Sequence, residues 1–88
     1  MTFFTYTLTS GSLAINKADG ASFLSVQTDA TNGQCTVLGN MPFQGLTPNA
    51  VNLSNGEGVN FTSSTPSSPL DGITVTWVAG SVDVIVGV

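Results

Sequence analysis

The sequence predicts an all-β domain, a small antiparallel β-sandwich or jelly-roll-like barrel built from hairpins. Three observations predict it. Short segments alternate apolar and polar residues with the period of a strand; clusters of Gly, Asn, Asp and Pro separate them at short intervals; and no stretch carries a helical period. Its 88 residues make one domain, spanning 1–88.

The first strand is read over Thr2 to Thr9, with Phe4, Tyr6 and Leu8 on one side and Phe3, Thr5, Thr7 and Thr9 on the other. Successive side chains of a strand point to opposite faces, so one of these rows faces a core. Ser10-Gly11 turns the chain into Ser12 to Asn16, where Leu13 and Ile15 share a face. Ala18-Asp19-Gly20 forms the next turn, because an Asp-Gly pair tolerates positive φ. Ala21 to Thr28 follows, with Leu24 and Val26 inward. Thr31-Asn32-Gly33 then predicts a hairpin into Gln34 to Leu38, where Cys35 and Val37 alternate.

Gly39-Asn40 and Pro42 are expected to break the pairing there, since proline has no N–H for a ladder; Met41 and Phe43 read as core residues on a short or edge segment. Ala50 to Leu53 and the strand begun by Val59 and Phe61 flank Asn55-Gly56-Glu57-Gly58 and predict another hairpin. Ser63 to Pro69 has no apolar face and reads as an exposed loop. Ile73, Val75 and Trp77, then Ala79-Gly80-Ser81, then Val82, Val84, Val86 and Val88 predict a final hairpin. The expected core is Phe4, Leu8, Leu13, Ile15, Leu24, Val26, Val37, Phe43, Phe61, Val75, Trp77, Val84 and Val86.

Charge is the most unusual feature of the composition. Lys17 is the one basic residue, set against Asp19, Asp29, Glu57, Asp71 and Asp83, and charged residues make up 7% of the chain, against about a quarter in an average domain. Nucleic acid is excluded as a partner, because phosphate affinity requires several Lys or Arg on one surface. A membrane span is not expected: the apolar run from Val82 to Val88 is short and interrupted by Asp83. The N-terminus has neither a basic segment nor a long apolar one, so no secretory leader is expected, and a free cysteine fits synthesis in a cytoplasm.

The same inventory argues against catalysis. Without histidine neither Ser-His-Asp nor Cys-His nucleophile activation can be assembled. Cys35 alternates with Val37 and reads as a small buried hydrophobe. The acids are scattered over separate turns, with neither the spacing of a carboxylate pair nor the order of a calcium loop, and read as turn residues. A single cysteine and no histidine cannot make a structural zinc site. The chain is expected to be no enzyme and to hold no cofactor.

A domain this short buries roughly 60% of the surface its unfolded chain exposes, so association is a ready source of added stability. With few charges to guard its edge strands, the chain is expected to pack against neighbours through backbone pairing and apolar contact. Three stretches, Thr5-Tyr6-Thr7-Leu8-Thr9-Ser10-Gly11, Leu53-Ser54-Asn55-Gly56-Glu57-Gly58-Val59, and Asp71-Gly72-Ile73-Thr74-Val75 with Gly80-Ser81-Val82-Asp83-Val84-Ile85, resemble small accessory virion proteins of tailed bacteriophages. The resemblance implies a capsid decoration, head-fibre or head-tail accessory protein, present in many copies and without enzymatic activity. With no coiled-coil segment, decoration or connector roles lead over a fibre shaft.

The partners so implied are other virion proteins, the major capsid protein or the connector, and further copies of the chain. The place implied is the virion, after synthesis in the host cytoplasm. Contact is assigned to Phe3 on the N-terminal strand, to the Pro42 segment, and to Ser63, Pro66 and Pro69 of the polar loop. The alternative is a carbohydrate- or host-surface-binding module using Tyr6 or Trp77, which requires one of these rings to be exposed.

Overall fold

The computed structural model describes residues 1–39, 49–63 and 69–88. Eight strands follow one another: β1 (Phe3–Leu8), β2 (Ser12–Ile15), β3 (Phe23–Thr28), β4 (Gln34–Gly39), β5 (Asn49–Ser54), β6 (Gly58–Thr62), β7 (Ile73–Ala79) and β8 (Val82–Gly87). A 3-10 turn, Lys17–Asp19, lies between β2 and β3 and ends at Gly20, whose φ is 69°.

The strands form two antiparallel sheets, one ordered β1-β8-β3-β6 and the other β2-β7-β4-β5. The logic of this order lies in the register. Phe3 pairs with Gly87, Ser12 with Thr76, Phe23 with Thr62 and Gln34 with Ser54, so that each residue meets one about as far from the other end of the chain. The molecule is one long two-stranded ribbon, doubled back between β4 and β5 and rolled up. The pairs β3–β8 and β4–β7 then close the roll into two facing sheets. This is the jelly-roll order, in which two sheets share one core.

The expected hairpins β3–β4, β5–β6 and β7–β8 are therefore absent: in each case the second strand lies in the other sheet. Conversely β4 and β5, separated by the expected break at Gly39-Asn40, pair along their whole length. The turn chemistry itself is present. Asn55 and Gly56 have φ of 46° and 88°, and Gly80 one of 66°. Such residues reverse the chain, but the sheet in which the next strand lands is decided by contacts far away in sequence.

The loops at one end show those contacts. Asp29 donates its N–H to the Ser81 carbonyl at 3.0 Å and Asn55 to Gly33 at 2.8 Å, so three short connections knit together, while Trp77 of β7 donates to Gly11 of the β1–β2 connection at 2.9 Å. Glycine is required at position 33, where a Cβ would run into the Asp29 amide and lie 2.7 Å from the Ser81 carbonyl oxygen. At the opposite end the termini exchange bonds, Thr2 with Val88 at 2.8 and 2.9 Å. Nearby, Ser63 donates to Ser22 at 2.9 Å and Leu70 to Ala21 at 2.8 Å.

The core joins Leu24, Val26, Val82, Val84 and Val86 of the first sheet to Ile15, Cys35, Val37, Leu53, Ile73 and Val75 of the second, with Ala21 and Leu70 from the connections. Full burial of each larger aliphatic is worth about 1.5–3 kcal/mol. Leu8, Leu13, Phe61 and Trp77 pack at its border, partly buried. Phe4 departs from expectation, remaining 48% exposed. Phe43, Met41 and Pro42 lie outside the described residues. Among the described residues one polar side chain enters the core, Thr28, and it is fully engaged: its Oγ1 accepts from Gly56 N–H at 3.0 Å and donates to the Glu57 carbonyl at 2.8 Å.

Candidate contact surface

Position in the sheet, not sequence pattern, makes β1 unlike the other strands. It lies at the edge of the first sheet, and among the described strands β8 is its one neighbour. Five of its six residues are exposed, and only Leu8 is partly covered. Phe4 and Tyr6 pair with the buried Val86 and Val84, so they point to the inner side, yet each ring remains about half exposed. The reason lies opposite, where the facing edge strand β2 has only four residues and offers Leu13 and Ile15 as cover. Between the two edges runs a cleft of about 260 Å³, lined by Phe4, Tyr6, Leu13, Ile15, Asp19 and Val86 among others.

The outer side of β1 carries a second apolar group. Phe3 meets Phe23 edge-on at 5.9 Å between ring centroids. Together with Met1 they lie over Gly87, where a Cβ would stand 2.7 Å from Met1 Sδ and 3.1 Å from Phe3 Cε1. Ile85 of the neighbouring strand is exposed on the same face, and Phe3 remains 57% exposed. The sequence assignment of Phe3 to contact therefore falls on an accessible apolar cluster.

The remaining assigned residues are distributed differently. Ser63 and Pro69 are half-buried, and the Ser63 N–H is taken by Ser22. Pro42 and Pro66 lie outside the described residues, while the residues flanking their segments, Gly39 with Asn49 and Ser63 with Pro69, stand at the terminal end of the sandwich with Phe3. Trp77 is partly buried against the core, and its Nε1 donates to the Gly80 carbonyl at 2.8 Å. Leu70 was not foreseen in the core. Its signal is a lone leucine within a polar loop.

Charge is nearly absent from the surfaces the sheets present. Among the described strands Asp83 is the one charged residue, and it accepts from Thr7 Oγ1 at 3.0 Å. The other acids organise turns, as the sequence implies. Asp19 Oδ2 accepts from Asn16 N–H at 2.7 Å, Asp71 from Lys17 N–H at 2.9 Å, Asp29 from Thr31 N–H at 3.2 Å, and Glu57 from Ser54 N–H at 2.8 Å. Among the described residues no three Cys, Asp or Glu side chains gather at one point. Burial raises the Cys35 thiol above its usual pKa, which suits a packing role and opposes a nucleophilic one.

No protein-family model matches the chain, and neither a curated protein nor a solved structure matches it.

Proposed function

We propose that this chain is a non-enzymatic structural protein of a bacteriophage virion, a capsid decoration or auxiliary head protein bound in many copies to the major capsid protein or the connector. The observation that carries the reading is the uncharged character of all four edge strands, with exposed Asp83 the one ionic residue in the described strands, joined to the exposed cluster of Met1, Phe3 and Ile85. Hydroxyl and amide surfaces shed water at less cost than ionic ones, so they suit permanent contact. The jelly-roll order adds analogy only, since it serves viral capsid subunits and lectins alike.

The test is cosedimentation of the purified chain with phage particles lacking it. Binding that saturates at a fixed copy number and is lost in Phe3→Asp supports the reading. A chain absent from purified particles and unable to bind them overturns it.

A second reading, a carbohydrate- or host-surface-binding module, is favoured by one feature: the half-exposed rings of Phe4 and Tyr6 beside Asp19 in the cleft. Titration with oligosaccharides separates the two, with Tyr6→Ala abolishing the heat of binding if this reading is right.

A further inference from the structure

We infer that β1 is a self-association edge: two copies of the chain pair their β1 strands antiparallel about a two-fold axis through Thr5, joining the two first sheets into one continuous sheet. This deepens the proposed function by naming one partner. Its test uses the isolated chain, so its outcome is independent of binding to particles.

The inference begins with the backbone. Thr2 and Val88 exchange both N–H···O bonds, which makes them a hydrogen-bonded pair. Such pairs alternate along an antiparallel ladder, and the register runs unbroken from Phe3–Gly87 to Leu8–Val82. Phe4, Tyr6 and Leu8 are therefore bonded to β8, whereas the N–H and C=O groups of Phe3, Thr5 and Thr7 point away from it. These are the groups a further strand would use, and among the described residues β8 is the only strand that pairs with β1.

Soluble proteins guard such edges with lysine, proline, an inward charge or a bulge. β1 reads Phe-Phe-Thr-Tyr-Thr-Leu, with neither charge nor proline, and its register with β8 has no bulge. A second copy fits it in detail. With Thr5 on the axis, Thr5 meets the partner's Thr5 and Phe3 meets the partner's Thr7 as hydrogen-bonded pairs, so every outward group is satisfied. Phe4 meets the partner's Tyr6 at the non-hydrogen-bonded position, where strands approach closest and aromatic pairs pack well. Those are the two inward-facing rings that the short β2 leaves uncovered. Identical strands that carry no charge bring no like charges together, and the same patch is used twice, as a two-fold interface requires.

Sedimentation of the purified chain across a concentration series tests this. The expected result is a mass twice that of one chain. Thr5→Pro should halve it while keeping the circular dichroism of the folded protein, because the lost N–H faces outward and takes no part in the β1–β8 ladder. Should that variant fail to fold, Thr5→Lys, which opposes two ammonium groups across the axis, should halve the mass instead. Thr5→Cys should form a disulfide-linked dimer under mild oxidation, since hydrogen-bonded pairs stand about 5.5 Å apart at Cα, within disulfide reach. Wild type, whose Cys35 is buried, and Thr9→Cys should not. A monomer at every concentration overturns the inference, whatever the cleft then binds. So does a dimer whose mass survives both Thr5→Pro and Thr5→Lys, because it would use another surface.

Discussion

β1 and β8 are hydrogen-bonded neighbours with equally regular alternation, yet they live in different surroundings. Along β8, Val82 and Val84 are wholly buried and Val86 nearly so; opposite them on β1, Tyr6 and Phe4 stand half exposed. Both rows face the same way. β8 has a strand on either side and the full second sheet across from it, whereas β1 has one open flank and faces the four residues of β2. Alternation thus says which side of a strand looks inward, while sheet order says whether anything is there to meet it. Side chains of equal apparent promise carry unequal shares of the stability and leave unequal amounts of surface for partners.

The sharpest way to break this comparison is to place a carboxylate at each member of one cross-strand pair. Val84→Asp buries an unpaired charge among Leu24, Val26 and Val75, and the folded state should lose more than about 4 kcal/mol, leaving no cooperative urea transition. Tyr6→Asp, directly opposite, should keep the fold at a cost under about 1 kcal/mol, because its carboxylate stays in water. It should also lose self-association. Equal damage at the two positions would mean that β1 is covered in the isolated chain.

A gentler pair tests the same contrast in hydrogen bonds. Thr28 sits at the buried end of β3 and ties the 55–57 turn to the sheet through two bonds, whereas Thr7 makes a single exposed bond to Asp83. Thr28→Val preserves shape but leaves Gly56 N–H and the Glu57 carbonyl without this partner, and should cost about 1–3 kcal/mol in chemical denaturation. Thr7→Val should fall within about 0.5 kcal/mol of wild type. The ordering would reverse if β1 were the structural keystone and the 55–57 turn incidental.

These contrasts also mark what was legible in the sequence. Strand positions and inward faces could be read, because a period of two is local and Leu24, Val26, Val75 and Val84 carry it plainly. Sheet membership could not. Asn55-Gly56 has the positive φ values of a tight hairpin, yet β5 and β6 part to opposite sheets, since the pairing of β6 with β3 and of β5 with β4 is settled by residues far apart in the chain. The exposure of Phe4 follows from the same blindness. Assigning it to the core assumed a covering strand, and β2 is too short to be one. Phe3 was accessible to sequence reading because it falls on the side of β1 opposite the inward row.

The smallest expected effect concerns Cys35, at the interior end of the comparison. It pairs with Leu53 on one side and Trp77 on the other and is almost wholly buried. Burial penalises its thiolate and holds the thiol above the ordinary value of 9.0. The sign follows from proton counting. Below the unfolded pKa both states keep the proton and stability is unaffected; above it the unfolded chain releases a proton that the folded chain retains, so stability falls until the folded thiol also ionises. The loss should reach about 0.4 kcal/mol where half the unfolded thiols have ionised. Urea midpoints should hold level well below that pH and decline as pH rises through it, and Cys35→Ala should remove this share of the decline while lowering the midpoint at every pH. A wild-type thiol that reacts with a disulfide reagent as fast in the folded as in the unfolded chain would place Cys35 at the surface, and with it the inner face of β4.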